Sequence, residues 1–246
     1  RKKFKLPNFF LLDDYKKIEF INKKFKLNAN LKKIDSPIQV SKTFNTSLPI
    51  LDMKIKLNFQ LGKPNSSNSQ FVLKSINESY KLIKKKQVSG MITLPVCKKT
   101  LKKYGFNFCG QTEYISNLAS ENFRERIKEI MILSTSKPAD MGDNLIVGLV
   151  TTHVPLKKCL NLITKKILEE KIITFNDTLK KLWKISKPKI AIAAINPHAG
   201  EGGLIGKEEI SIIKPVIKKI SGKINVIGPF SGDSCFSKNV RSNYDG

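Results

Sequence analysis

Short apolar runs of strand length alternate with helical patterns along the chain, and this alternation limits the choice of fold more than any other property. Ile, Val and Leu dominate the runs without strict alternation, which is typical of strands covered on both faces. The runs occupy residues 9–12, 53–59, 90–95, 130–133, 145–151, 189–195 and 224–227. Helical patterns lie at residues 71–86, 160–170, 178–185 and 207–220, and Pro215 is expected to kink the last one. The sequence predicts an α/β fold with mostly parallel sheets.

The length of the chain sets its domain organisation. At roughly 150 residues per domain, 246 residues form one large or two small domains. We predict a first α/β domain at residues 1–110 and a second at 111–246, with a loop at residues 134–144.

The net charge of +25 raises the question of nucleic-acid binding. Only four of the 45 basic residues are arginine, whose planar side chain pairs with guanine and phosphate. The lysines are scattered in twos and threes, which is typical of solvated helix faces. We expect no nucleic-acid partner, although a basic nucleic-acid binder stays open as an alternative.

The cysteines and the longest apolar runs indicate the compartment. The four cysteines have no C-x-x-C spacing and are expected to be thiols of a reducing compartment, the cytoplasm. No apolar run approaches the ~20 residues that a membrane span needs, and the first residues lack the pattern of a signal peptide. We therefore expect no membrane partner.

The only two histidines follow apolar runs. His153 comes after residues 145–150 and His198 after residues 190–195, so both are expected at the carboxyl ends of neighbouring parallel strands. Two imidazoles there can share a divalent cation, although ordinary loop histidines remain the alternative. The candidates for a third ligand are Glu201, Asp233, Cys235 and a residue beyond Gly246.

A glycine-rich loop follows the second of these runs. Gly200, Gly202 and Gly203 lie between a predicted strand and a predicted helix, where backbone N–H groups can approach an anion or a cofactor. The loop matches neither the G-x-G-x-x-G fingerprint nor a Walker A motif. A tight turn without a ligand is the alternative.

A third cluster lies around residue 100. The run at residues 90–95 is predicted to end at the same sheet edge and to bring Lys98 there. Gln111, Thr112 and Glu113 follow with hydrogen-bonding side chains, so the cluster is a candidate substrate site. Ordinary loop residues are the alternative.

Several motifs together resemble one family. NPHAGEGG (196–203) is similar to the signature of the 4-hydroxythreonine-4-phosphate dehydrogenase (PdxA) family. The same family order is kept by TLPVCK (93–98), GFNFCGQTE (105–113), TTHVPL (151–156) and GPFSGDSCF (228–236). The resemblance covers roughly residues 60–246.

The resemblance implies a fold and an activity. The family has a two-domain α/β/α fold, similar to the isocitrate and isopropylmalate dehydrogenases, and forms homodimers with a metal site shared between subunits. It oxidises 4-phosphooxy-L-threonine with NAD and a divalent cation (zinc, magnesium or cobalt), and the product loses carbon dioxide. His153 and His198 fall at the metal ligands, and Gln111 and Thr112 at the substrate.

The chain departs from the family in two ways. Gln111 stands where the family usually has histidine, and glutamine cannot exchange a proton near neutral pH. The family's opening glycine- and proline-rich motif and its third metal-binding histidine are absent, so we expect a fragment that lacks both ends. The alternatives are a dehydrogenase of threonate or erythronate 4-phosphate, or a non-catalytic relative.

Overall fold

The computed structural model describes residues 6–123, 127–135 and 145–246. The chain forms two compact units, Arg1–Ile127 and Lys128–Gly246. The sequence predicts a boundary at residue 110, and the assignment of these units to family domains stays a prediction. Most of the predicted loop at residues 134–144 lies outside the described residues.

The first unit holds a three-stranded parallel sheet in the order β1-β3-β2. Its strands are β1 (Leu11–Asp13), β2 (Leu31–Ile34) and β3 (Leu48–Asp52). Its helices are α1 (Tyr15–Lys24), α2 (Val40–Thr43), α3 (Ser69–Lys84), α4 (Lys98–Lys103) and α5 (Gln111–Phe123), with 3₁₀ turns at Pro37–Gln39 and Ser66–Asn68. A small apolar cluster of Ile34, Val40 and Phe44 packs beside this sheet.

Two of the predicted strands in this unit are wrong. Residues 53–59 form no strand, because the chain turns just after β3 and Lys54 has a φ of 53°. Residues 90–95 form no strand either, and Ile92 is 95% exposed there. Among the residues that the structure describes, this segment has no strand beside it to complete a ladder.

The second unit contains two separate pairs of strands. Its strands are β4 (Met131–Ser134), β5 (Ile146–Leu149), β6 (Lys189–Ala193) and β7 (Asn225–Phe230). Its helices are α6 (Leu156–Leu162), α7 (Lys165–Leu182), α8 (Lys214–Ile220), α9 (Gly232–Cys235) and α10 (Lys238–Arg241). β6 and β7 are parallel, whereas β4 and β5 are antiparallel. The α/β class with mostly parallel sheets is confirmed, and the β4–β5 pair departs from it.

Helix α7 forms the centre of the core in this unit. The Thr164 side chain caps its start by accepting a hydrogen bond from the Ile167 N–H (3.2 Å). Its buried residues recur every three or four positions and pack against β6, β7 and α8: Leu168, Ile172, Phe175 and Leu179. The two predicted helical patterns at residues 160–170 and 178–185 are thus largely one helix.

The free edge of β6 carries the last two residues of the chain. The Asp245 N–H donates to the Lys189 carbonyl and the Ala191 N–H to the Gly246 carbonyl, each at 2.8 Å. The Asp245 carboxylate also accepts from the Lys189 N–H at 2.8 Å. β6 is therefore hydrogen-bonded along both edges, to β7 on one side and to the last two residues on the other.

Within the described ranges, every helix falls short of the length and apolarity that a bilayer crossing requires.

Candidate functional site

The loop that follows β6 adopts a left-handed conformation. In the 3₁₀ segment Pro197–Gly203, φ is 48° at His198, 54° at Ala199 and 43° at Glu201, with the intervening glycines also positive. Each non-glycine residue in this region costs about 1–2 kcal/mol. Such a run persists only where its surroundings enforce it, and strain of this kind concentrates at functional sites.

The support for this loop is the buried carboxylate of Glu209, whose residue is 1% exposed. One oxygen accepts hydrogen bonds from the Ile195 N–H (2.9 Å) and the Asn196 N–H (2.8 Å). The other accepts from the Asn196 side-chain amide at 2.8 Å. Burial raises the pKa of Glu209, but these hydrogen bonds lower it more, so the net pKa lies below its ordinary value. The carboxylate is thus an ionised group whose charge is satisfied by the loop.

Two glycines let the loop pack closely, one against Glu209 and one against Asn196. A Cβ on Gly200 would lie 2.8 Å from a Glu209 carboxylate oxygen, and a Cβ on Gly206 would lie 2.2 Å from the Asn196 side-chain nitrogen. The anion that this glycine-rich loop encloses is therefore the protein's own carboxylate. Binding of a further anion or a cofactor at Gly200, Gly202 or Gly203 stays a prediction.

Glu209 stands at the start of a widened helical turn. The predicted helix at residues 207–220 begins as a π-helical turn, Glu209–Ile213, and continues as α8. The irregularity precedes Pro215, which has no N–H for the regular helical ladder. The widened turn carries the buried carboxylate, and a kink at Pro215 stays a prediction.

His198 faces a second carboxylate. Its Nδ1 lies 3.9 Å from an Asp233 carboxylate oxygen, and both side chains are exposed. The Ser231 hydroxyl donates to Asp233, and this hydrogen bond is the main reason why the pKa of Asp233 is lowered. At this distance the carboxylate makes no hydrogen bond to Nδ1, but a small rotation of either exposed side chain would bring it into the place from which carboxylates orient metal-binding histidines. Cys235 is a poor metal donor, because burial raises the pKa of its thiol.

His153 lies after β5, in an exposed turn with a φ of 55°. Since β5 pairs with β4 and not with the β6–β7 sheet, the prediction that the two histidines follow neighbouring parallel strands is wrong. Their backbones share another property. Lys26, Lys86 and Lys184 also have positive φ, but each directly follows the C-cap residue of a helix, an ordinary place for it. Both histidines adopt this conformation in loops instead, as Asn28 and Lys54 do in the first unit.

The described residues do not complete a metal site by themselves. In residues 6–123, 127–135 and 145–246, no three or more His, Cys, Asp or Glu side chains are grouped so that they could hold a metal ion. The donor chemistry of His198 with Asp233 behind it nevertheless suits a divalent transition metal. A cation shared by His153 and His198 stays a prediction, and it requires at least one further ligand.

The other predicted site residues belong to the first unit. Gln111 begins α5, and its side-chain amide donates to the Leu94 carbonyl at 3.1 Å, while Thr112 is exposed. A Cβ on Gly110 would lie 3.0 Å from the Glu113 carboxylate and 3.9 Å from the Lys98 ammonium. Lys98 starts α4 rather than following a strand, so its predicted place at a strand end is wrong. His153, His198 and Asp233 lie in the second unit.

Two residues that support His198 escaped sequence reasoning. Asn196 and Glu209 are both inside the glycine-rich segment, yet nothing in their spacing pairs them. The available signal was the position of Glu209 on the apolar stripe that continues through Ile213 and Val216, where a carboxylate must find hydrogen-bond donors.

Comparison with known proteins assigns the chain to a family. The model of the pyridoxal phosphate biosynthetic protein PdxA matches residues 7–246. The 4-hydroxythreonine-4-phosphate dehydrogenase of Zymomonas mobilis is 32% identical over 216 residues, which are 86% of this chain and 61% of that protein. The enzyme of the same name from Caulobacter vibrioides is 30% identical over 242 residues, 98% of this chain and 69% of that protein. The chain thus spans roughly two thirds of the length of these two relatives.

Solved structures agree with the fold. The 4-hydroxythreonine-4-phosphate dehydrogenase from Burkholderia phymatum superposes with a TM-score of 0.79 at 24% identity, over 96% of this chain and 68% of that one. A putative enzyme of the same name from Salmonella typhimurium gives a TM-score of 0.74 at 27% identity, over 89% and 64%. By its sequence match and its fold, the chain is a member of the PdxA family of pyridoxal phosphate biosynthetic proteins.

Proposed function

We propose that the protein oxidises 4-phosphooxy-L-threonine with NAD, and that the oxidised product loses carbon dioxide to give 3-amino-2-oxopropyl phosphate for pyridoxal phosphate synthesis. The observation that carries the proposal is the match of nearly the whole chain to the PdxA family, with relatives of 30–32% identity that are named 4-hydroxythreonine-4-phosphate dehydrogenases. The ordered loop around His198 supports it, because the family signature forms a defined structure in this chain.

His153 and His198 are proposed as ligands of a divalent cation, with Asp233 orienting the His198 ring. Zinc, magnesium or cobalt would lower the pKa of the substrate hydroxyl and stabilise negative charge on oxygen. The remaining ligands come from the substrate and from a further protein group, and a homodimer that shares the site between subunits would supply one. Both imidazoles are solvent-accessible, which such sharing requires.

Lys98, Gln111 and Thr112 are proposed to contact the phosphorylated substrate. The Gln111 amide N–H donates to the Leu94 carbonyl, so its oxygen remains to accept a hydrogen bond from substrate. Gln111 orients the substrate but takes no proton from it. The net charge of +25 attracts an anionic substrate over longer distances.

NAD, when bound, accepts the hydride. We propose that the glycines of the loop, Gly202 and Gly203 above all, contact the cofactor or another anion. We also propose a cytoplasmic enzyme, since all four cysteines are free thiols in the structure.

The test is NADH formation by the purified protein with each of three substrates and added divalent metal. We expect activity with 4-phosphooxy-L-threonine that exceeds activity with threonate or erythronate 4-phosphate. His153→Ala and His198→Ala should each lower kcat/KM by roughly 100-fold or more, as expected when transition-state stabilisation by a metal is lost. Higher activity with a sugar-acid phosphate would favour that alternative, and no activity with any substrate would favour the non-catalytic one.

A further inference from the structure

We propose that Glu209 is a positioning residue for His198. Its buried carboxylate holds the loop at residues 196–206, whose residues 198–203 have the left-handed conformation that presents the imidazole. The meaning of this position for metal binding rests on the proposed function, whereas the support of the loop by Glu209 does not.

The hydrogen bonds of Glu209 converge on the two residues where the loop begins. Its carboxylate accepts hydrogen bonds from the backbone N–H groups of Ile195 and Asn196, three and two residues before His198. These donors leave β6 with their directions fixed, so the start of the loop is fixed too. The close approach of Gly200 to the same carboxylate fixes a second point, beyond His198. His198 therefore lies between a stretch hydrogen-bonded to this side chain and a glycine that has no room for a Cβ beside it.

A neutral side chain of the same shape cannot replace this carboxylate. The Asn196 side-chain nitrogen donates to both Glu208 and Glu209, at 2.8 Å in each case. If Gln stood at position 209 with its oxygen toward the backbone N–H groups, its NH₂ group would face the Asn196 NH₂ group. If Asn196 turned over in response, its oxygen would face the Glu208 carboxylate. The first arrangement places two hydrogen-bond donors against each other, and the second places two acceptors against each other.

Because Asn196 needs an acceptor at position 209, substitutions can distinguish a residue that positions the loop from one that only fills space in the core. Glu209→Gln hardly changes the volume of the side chain, so a residue that only fills the core would tolerate it. Glu208→Gln is the matched control, because it removes the same charge one position earlier. The side-chain oxygen of Gln at 208 can still accept from Asn196, so the network keeps its polarity.

The double variant Glu208→Gln/Glu209→Gln provides a rescue. With both carboxylates replaced, Asn196 can turn over and accept hydrogen bonds from both new NH₂ groups, although the side chain at 208 then loses its hydrogen bond from the Lys207 N–H (3.0 Å). We therefore expect the double variant to recover part of what Glu209→Gln loses. A general loss of charge or stability predicts the opposite order, with the double variant worse than either single variant.

Two measurements on the purified full chain test the proposal. The first is hydrogen exchange at the Ile195 and Asn196 amides and across residues 198–206, which measures how firmly the loop is held. The second is titration with zinc alone, which measures the zinc affinity of the site at His198. We expect Glu209→Gln to accelerate exchange and to weaken zinc binding roughly 10- to 100-fold, the usual range for residues behind a metal ligand. Glu208→Gln should match the parent protein in both measurements. If Glu209→Gln does not fold, Glu209→Asp is used in its place. It keeps the charge but shortens the side chain, so hydrogen exchange in the loop should be faster than in the parent protein.

The outcomes distinguish this inference from the proposed function. Unchanged exchange in Glu209→Gln, or faster exchange with unchanged zinc affinity, overturns the positioning role. A parent protein that binds no zinc contradicts the proposed metal site, while the exchange measurement still decides whether Glu209 holds the loop.

Discussion

Gly206→Ala is expected to destabilise the second unit strongly, because Gly206 combines two demands that alanine cannot meet. Its φ is 148°, a conformation that L-residues rarely adopt, and a Cβ there would lie within 2.2–2.6 Å of three Asn196 side-chain atoms. Asn196 cannot move aside freely, since its amide nitrogen is held by Glu208 and Glu209.

The magnitude follows from these two terms. The backbone strain costs about 1–3 kcal/mol. Relieving the clash breaks at least one hydrogen bond to a carboxylate, which costs about 1.5–3 kcal/mol. The sum is about 2.5–6 kcal/mol, a large part of the roughly 5–15 kcal/mol that stabilises an ordinary protein.

The assay is urea unfolding followed by the fluorescence of Trp183, the only tryptophan, which directly follows α7 in the second unit. Gly202→Ala is the matched control. Its φ is 68° in the same loop, but a Cβ there would meet nothing within 4 Å. It should cost only the left-handed conformation, about 1–2 kcal/mol. Equal losses in the two variants would refute the reasoning, because the contact with Asn196 would then contribute nothing.

Further predictions concern the core and the acid limb of stability. Leu179→Ala, at a fully buried position on α7, should cost about 2–5 kcal/mol in the same urea assay, whereas Leu182→Ala, at a position 72% exposed on that helix, should stay within about 0.5 kcal/mol; similar losses would contradict the packing described for α7. Burial raises the pKa of Asp52, but the hydrogen bond from Lys33 (3.0 Å) and two backbone N–H groups lower it more, so its folded pKa lies below the ordinary value. This stabilisation is present above the unfolded pKa, about 4, and is lost as the pH falls through the folded pKa. In Lys33→Met, the unfolding free energy should therefore fall less steeply as the pH is lowered below about 4. An unchanged pH dependence would show that the Lys33–Asp52 pair contributes nothing.

The sequence predicted elements well where burial alone decides them. β6 and β7 are apolar, and they stand within a few residues of their expected places, whereas the middle of α7 falls between two separate predicted helical patterns. It failed at residues 90–95, where apolar composition is present but no described strand lies alongside to pair with it. Strand pairing depends on distant parts of the chain, and a local run of Ile and Leu contains no information about a partner.

The candidate site shows the same division. The sequence predicts His153, His198 and the glycines as site residues, because their types and order resemble the family motifs. The role of Glu209 was not, since it depends on a loop folding back over a π-helical turn. Likewise, the antiparallel pairing of β5 with β4 follows from register and not from composition. Sequence reasoning therefore proposes candidate ligands more readily than it identifies the residues that hold the loop around them.

The most direct test of the account is a crystal structure of the zinc-loaded protein with anomalous diffraction at the zinc edge. We predict one zinc peak about 2.0–2.1 Å from a ring nitrogen of both His153 and His198. Zinc bound to one histidine without the other, or a peak remote from both, would contradict the shared site on which the proposed chemistry depends.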